Sequence, residues 1–215
     1  MRICFMGQGT ALKTQKNERA DLFLVGGMDE VSYEKELQGE TKFFEEATLF
    51  SKKMQSVVVK GCITDTHGHK RKSALVAENG RLLGVSDGLY AMDDKIGAGA
   101  ALHVYETKVG RMGVLVGEDL SFPETVRSLV DCGSDFVVCI YEKAEGELPA
   151  VLIRADAYFF GVPILFCGNG RGMVATTDGN MSIDTEQAPF YTDFEYAPQY
   201  QLVRVRKKGN FKNVE

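Results

Sequence analysis

Residues 110–127 read Gly-Arg-Met-Gly-Val-Leu-Val-Gly-Glu-Asp-Leu-Ser-Phe-Pro-Glu-Thr-Val-Arg, and this stretch decides the fold. Residues 111–116 form an apolar run of strand length that stops at Gly-Glu-Asp. A helix is predicted over residues 123–132, because proline suits the first helical positions and Gly133 follows as a stop signal. The stretch therefore predicts a strand, a tight turn and a helix, which is the basic unit of α/β proteins.

Further apolar runs of strand length alternate with amphipathic segments along the rest of the chain. They cover residues 3–6, 21–25, 56–61, 73–78, 135–141 and 163–167. Helices are predicted over residues 33–54, from apolar residues near helical spacing, and over residues 148–160. Asn79-Gly80 and Asp178-Gly179 predict hairpins, since these dipeptides favour the tight turns that join antiparallel strands. Hairpins combined with helical crossovers predict an α/β fold with mixed sheets.

Size and charge narrow the class of protein. The chain has 215 residues, 44% of them hydrophobic, and we expect one domain over residues 1–215. A net charge of −5 leaves no basic surplus, so we expect no nucleic-acid partner. The apolar runs are far shorter than the roughly 20 residues that span a bilayer, and the start of the chain lacks a secretory signal. These features predict a soluble, cytoplasmic protein without a membrane partner.

The five cysteines are odd in number and scattered along the sequence. We expect them to be reduced and mostly buried, as structural residues.

Residues 110–127 resemble the nucleophile segment of the carbon-nitrogen hydrolase (nitrilase) superfamily. In that segment a Gly-Arg-x-Gly-Val strand leads into Cys-x-Asp and then into a Phe-Pro-Glu helix start followed by Arg. Four further pieces stand in the family's order: Gly-Arg-Leu-Leu-Gly at 80–84, Asp-Cys-Gly-Ser-Asp at 131–135, Arg-Ala-Asp-Ala at 154–157 and Phe-Cys-Gly-Asn-Gly at 166–170. The resemblance covers nearly the whole chain. It implies an αββα sandwich of two mixed sheets and a homodimer.

The family hydrolyses amides and nitriles with a glutamate, a lysine and a cysteine, which supply a base, a cation and a nucleophile. The resemblance places Gly27 at the glutamate position, Gly88 at the lysine position and Gly117 at the cysteine position. Glycine has no side-chain acid, amine or thiol. We therefore predict no catalytic residue at any of the three positions.

Four other residues are candidates for the pocket: Glu30, Glu118, Cys139 and Asn169. Glu118 is expected to face away from Gly117 unless the turn is re-formed, because adjacent residues that leave a strand point to opposite sides. Cys139 is expected to be buried between apolar neighbours.

We expect neither a metal nor a cofactor. His67 and His69 are two potential metal ligands, but Lys70, Arg71 and Lys72 would repel a cation there. The glycine-rich residues 97–100 lack the features of a phosphate-binding or dinucleotide-binding loop.

The sequence departs from the family between Met6 and Asp21, where a short polar segment replaces the usual first helix. We expect the sandwich to be shortened there, with the exposed sheet face covered by another subunit or by the tail near Phe211. The favoured hypothesis is an inactive homodimer that binds a small amide-like or carboxylate ligand, or a protein partner. The alternatives are a diverged amide hydrolase with a relocated nucleophile at Glu30, Glu118 or Cys139, and a purely structural module.

Overall fold

The computed structural model describes residues 1–8, 12, 18–143 and 145–195. Among these residues the strands form two six-stranded mixed sheets. Sheet A has the order β12-β1-β2-β3-β4-β5 and sheet B the order β11-β10-β9-β8-β7-β6. The strands of sheet A are β1 (Arg2–Met6), β2 (Leu22–Ser32), β3 (Val57–Thr66), β4 (His69–Glu78), β5 (Arg81–Asp87) and β12 (Phe190–Asp193). Those of sheet B are β6 (His103–Thr107), β7 (Gly110–Val116), β8 (Phe136–Lys143), β9 (Ile164–Asn169), β10 (Arg171–Ala175) and β11 (Met181–Thr185).

Four helices flank the sheets in the described part of the chain: α1 (Tyr33–Gln38), α2 (Phe43–Met54), α3 (Pro123–Asp131) and α4 (Leu148–Phe160). Helices α1 and α2 lie against sheet A, and α3 and α4 lie against sheet B. The architecture is thus the αββα sandwich that the sequence predicted. None of the described helices is long and apolar enough to cross a membrane.

Three apolar layers hold the sandwich together. The middle layer lies between the two sheets and includes Leu24, Val59 and Val76 from sheet A with Val114 and Val138 from sheet B. Alternate residues of the same strands form the two outer layers, under α2 on one side and under α3 and α4 on the other. Because each fully buried aliphatic side chain contributes about 1.5–3 kcal/mol, these layers are the main source of stability. The alternation also fixes which side chains beyond the core face the gap between the sheets.

The predicted helix over residues 33–54 is wrong as a single element. It is two helices, α1 and α2, because Gly39 ends α1 in the left-handed conformation with φ 75°. Glycine adopts this conformation without steric cost, and it closes the helix. Leu37, which supported the longer helix, is 88% exposed and belongs to no core.

The hairpins form as predicted. Asn79 and Gly80 have φ values of 49° and 86° between β4 and β5, as a tight two-residue turn requires. Gly179, with φ 80°, lies in the turn between β10 and β11. The strand predicted over residues 21–25 extends to Ser32, through a bulge between Val25 and Asp29. The proposed loss of the first helix falls largely outside the described residues, and the predicted covering tail near Phe211 falls wholly outside them.

Candidate functional site

Charged side chains replace apolar ones where the central strands of the two sheets end. On β8, Val138 and Ile140 lie in the middle layer, and Glu142 continues the same face of the strand. On β4, Ala74 and Val76 lie in that layer, and Lys72 precedes them on the same face. Glu142 and Lys72 meet across the gap between the sheets, where Glu142 Oε2 lies 3.5 Å from Lys72 Nζ. Ligands of α/β sheets commonly bind at the carboxyl ends of parallel strands, as β7 and β8 are here.

Gly117 stands at the end of β7, where the strand turns into the short 3₁₀ segment Gly117–Ser121. Its φ of 57° lies in the left-handed region that glycine adopts without cost. A Cβ atom built on Gly117 would have one neighbour within 4 Å, the Cδ atom of Lys72 at 3.3 Å. The aliphatic part of Lys72 thus borders the space in front of this residue.

Lys72 joins two carboxylates at this point. Its Nζ lies 2.7 Å from Glu118 Oε1 and 3.5 Å from Glu142 Oε2. The side chains of Lys72 and Glu118 are each only 17% exposed, so this pair is less screened by water than a surface pair. Burial lowers the pKa of Lys72, but the hydrogen bonds and charges of Glu118 and Glu142 outweigh burial, and the pKa is raised overall. The lysine therefore stays protonated at neutral pH.

Glu118 lies against Lys72 rather than facing away from Gly117, which is the outcome expected if the turn is re-formed. The opposite direction assumed that the extended strand continues through residue 118. Instead the chain turns at Gly117 into the 3₁₀ segment, which directs Glu118 to Lys72.

Gly88 also borders Lys72. Its amide donates to the carbonyl oxygen of Lys72 at 2.8 Å. A Cβ atom on Gly88 would lie 3.1 Å from the carbonyl oxygen of Val116, the residue that precedes Gly117. Gly88 thus contacts the backbone of Lys72, whereas Gly117 borders the side chain of the same residue.

Gly27 has a different set of neighbours, at the bulge of β2. Its φ is 88°, and a Cβ atom here would lie 2.5 Å from Gln8 Cβ and 3.1 Å from Gln8 Oε1. Gln8 is held by Asn169, whose Oδ1 accepts from the Gln8 amide at 3.0 Å, and by Asp29, whose Oδ1 accepts from Gln8 Nε2 at 3.3 Å. The side chain of Gln8 thus occupies the space in front of Gly27.

Asp119 links the Gly88 loop to the Gly117 turn. It is buried, and its Oδ1 accepts from the Tyr90 amide at 2.9 Å while its Oδ2 accepts from the Val116 amide at 3.5 Å. Burial raises its pKa, whereas the hydrogen bonds from backbone amides lower it. Tyr90 in turn stacks on Phe122 with ring centroids 3.7 Å apart. Asp119 therefore has a positioning role at the turn.

The other predicted pocket residues do not join Lys72. Glu30 is largely exposed and forms an ion pair with Lys70 at 2.7 Å. Cys139 is fully buried in the layer under α3 and α4, on the opposite face of β8 from Glu142. Burial raises the pKa of the Cys139 thiol well above its usual range.

No group of three or more potential metal ligands occurs among the residues that the structure describes. His67 lies at the β3–β4 turn, where its Nδ1 is 3.1 Å from Glu34.

Sequence reasoning missed Lys72, Glu142 and Gln8. The alternation of β4 and β8 contains a signal for the first two, since each continues a row of buried apolar residues. No signal in the sequence places Gln8 opposite Gly27, because that contact joins the turn after β1 to the bulge of β2.

The arrangement offers an ammonium group and two carboxylates, but no thiol, at the turn after β7. Such a set can orient and hydrogen-bond a polar ligand. Cysteine-dependent acyl transfer would require a thiolate in addition.

Comparison with known proteins identifies the fold. No protein-family model matches the sequence, and no curated protein matches it. The structure is similar to that of a variant amidase from Nesterenkonia sp. AN1, in which acrylamide has added to the active-site cysteine. The TM-score is 0.75 at 16% identity, over 91% of this chain and 93% of that chain. It is also similar to Saccharomyces cerevisiae Nit3, a member of branch 10 of the nitrilase superfamily, with a TM-score of 0.71 at 12% identity over 89% of this chain and 88% of that chain. The chain therefore has the αββα sandwich fold of nitrilase-superfamily amidases.

Proposed function

We propose that this protein is a member of the nitrilase superfamily that has lost cysteine-dependent amide hydrolysis and acts as a ligand-binding or partner-binding homodimer. The observation that carries the proposal is the composition of the site at Gly117, where an amine and two carboxylates meet without a sulfur atom. Covalent amide hydrolysis by this route requires a thiolate at the turn.

The five cysteines support the loss of a thiol nucleophile. Cys4, Cys62, Cys139 and Cys167 are buried, and Cys132 is exposed. A buried thiol with a raised pKa forms little thiolate at neutral pH, which argues against Cys139 as a relocated nucleophile. Cys132 follows the last residue of α3, so about nine residues of helix, or roughly 14 Å, separate it from the helix start beside the turn. Five free thiols also fit a reducing compartment such as the cytoplasm.

The neighbours of two glycines support a rebuilt site. Gln8 occupies the space before Gly27, and Lys72 borders the space before Gly117. Both side chains come from other parts of the chain and are held by several polar contacts. The packing of these side chains around the glycines favours a site that has been rebuilt for another role, rather than one that has only lost three side chains.

Helix α4 supports the homodimer. Leu148, Val151, Tyr158 and Phe159 are each at least half exposed and form one stripe along the helix. We call this stripe the α4 surface. A contiguous exposed apolar patch is typical of an interaction site, and a symmetric dimer would bury it against the same helix of a second copy.

The first test is an assay of the wild-type protein on a panel of small aliphatic amides and nitriles, followed as ammonia release. We expect no turnover above buffer. The matched variant is Gly117→Cys, which we expect to gain a thiol that alkylating reagents label, without turnover, because no acid side chain is present at Gly27. Wild-type turnover that disappears when the cysteines are replaced would overturn the proposal, and turnover that survives their replacement would indicate a different nucleophile.

Ligand binding is tested by thermal shift of the wild-type protein with small amides and with their carboxylates. We expect a concentration-dependent rise in Tm with at least one compound, and a smaller rise in Lys72→Met, because the ammonium group is lost. Equal Tm shifts in the wild type and in Lys72→Met would indicate that the ligand binds away from Lys72.

The dimer is tested by light scattering after size-exclusion chromatography. We expect a dimer for the wild type and a monomer for Val151→Lys/Phe159→Lys. The control is Leu49→Lys, which changes an equally exposed apolar residue on α2, and should remain dimeric. A monomeric wild type at micromolar concentration would contradict the proposal.

A further inference from the structure

An open cleft of about 600 Å³ lies outside the site at Gly117. One wall is the start of β4, with Gly68, His69, Lys70 and Arg71. The other wall is the loop residues 94–97. This volume falls within the range of small-molecule pockets, about 300–1,000 Å³.

Hydrogen bonds to backbone carbonyl oxygens hold the two walls together. The Gly97 amide donates to the Lys70 carbonyl oxygen at 2.7 Å, and Arg71 Nε donates to the Ala98 carbonyl oxygen at 3.4 Å. Residues Lys70 and Ile96 form a parallel bridge. The cleft is therefore preformed by the fold and needs no closing step.

The charge lining this cleft is predominantly positive. Lys70, Arg71 and Lys95 carry three permanent cations, and Asp94 is the single carboxylate in the lining. Outside the lining, Lys70 pairs with Glu30 at 2.7 Å, and Arg71 Nε lies 3.8 Å from Asp87. The carboxylates of these two pairs neutralise part of the positive charge.

Several hydrogen-bond donors remain for a ligand. Among the described residues, the Nη groups of Arg71 and the Nζ of Lys95 have no partner. The guanidinium group has five N–H donors in a planar fork, which suits the paired oxygens of a phosphate or carboxylate.

We propose that this cleft binds a small dianion that presents several oxygens, such as a phosphate, a phosphate monoester or a short dicarboxylate. Arg71 and Lys95 supply the direct contacts, and Lys70 contributes charge from its ion pair. Asp94 opposes binding and limits its strength. The proposal does not depend on the loss of amidase activity, because neither Gly117 nor Lys72 lines the cleft.

The experiment is a titration of the folded protein with inorganic phosphate and, separately, with succinate, followed by amide chemical shifts in NMR. Sodium chloride at matched ionic strength serves as the reference. We expect saturable shifts at residues 68–71 and 94–97, weakening as salt is raised, because exposed charges are screened. Tighter binding of phosphate would identify a phosphate group as the ligand, and tighter binding of succinate would identify a dicarboxylate.

Two variants test the assignment in opposite directions. Lys95→Gln should bind the preferred anion about threefold to fivefold more weakly, whereas Asp94→Asn should bind it more tightly by a similar factor. Lys53→Gln removes an exposed lysine on α2, away from the cleft, and should bind as the wild type does. Chemical-shift changes no larger than those with sodium chloride would overturn the proposal. Equal affinity of the wild type and the three variants for the anion would also overturn it.

Discussion

Replacement of Asp156 by asparagine is expected to stabilise the protein at neutral pH. Asp156 lies on the core-facing side of α4, is 4% exposed, and its Oδ2 has no hydrogen-bond partner among the described residues. Burial raises the pKa of this carboxyl from 3.8 to about 6. The ionised form therefore destabilises the folded state.

The size of the effect follows from the pKa. A shift of about two units, at about 1.36 kcal/mol per unit, corresponds to roughly 3 kcal/mol lost from the folded state when Asp156 is ionised. Because the folded-state pKa is raised, the unfolded chain binds fewer protons between about pH 4 and pH 6, and stability falls as pH rises through this window. Asparagine resembles the neutral acid, so the variant should be more stable by about 2–3 kcal/mol near pH 7 and equal to the wild type near pH 4.

The assay is urea unfolding followed by circular dichroism at several pH values from about 4 to 7. Glu40→Gln removes an exposed carboxylate and serves as the control, with no comparable gain expected. A stability difference for Asp156→Asn that is the same at every pH would refute the reasoning, as would a loss of stability at neutral pH.

Three further outcomes are expected. Asp119→Ala should lower the free energy of unfolding by about 2–3 kcal/mol, because the buried amides of Tyr90 and Val116 lose their acceptor; urea unfolding measures this. A thiol reagent should label Cys132 rapidly and the four buried cysteines only after unfolding, and mass spectrometry would reveal any early second adduct. Lys72→Met should destabilise the protein by about 1–3 kcal/mol, since Glu118 and Glu142 then face each other without a cation. The double variant Lys72→Met/Glu118→Gln should recover part of that loss. If the stability losses of the two single variants simply add in the double variant, the pairing is contradicted.

Local signals predicted most of the fold. The strand, turn and helix over residues 110–132 follow from an apolar run, a Gly-Glu-Asp stop and a proline at the helix start. Asn79-Gly80 fixes a hairpin because it supplies two adjacent residues with positive φ. The break at Gly39 was missed, since apolar residues continue near helical spacing on both sides and one glycine costs only about 1 kcal/mol within a helix.

The site was predicted less completely, because its contacts join distant parts of the chain. Lys72 and Glu118 are 46 residues apart, and Gln8 and Asn169 are 161 residues apart. A single sequence shows which residues share a face of a strand, but not which residues of the other sheet they contact. The direction of Glu118 stayed conditional for a related reason, since it depends on whether a 3₁₀ turn replaces an extended strand end.

The contact between Gln8 and Gly27 has an evolutionary consequence. A carboxylate fits at residue 27 only after Gln8 has withdrawn, because the two side chains would overlap, and Gln8 is tied to Asn169 and Asp29. Any larger side chain at residue 27 would thus need a second substitution at residue 8, and that substitution by itself breaks hydrogen bonds. Such epistasis constrains which residues the chain can accept at position 27.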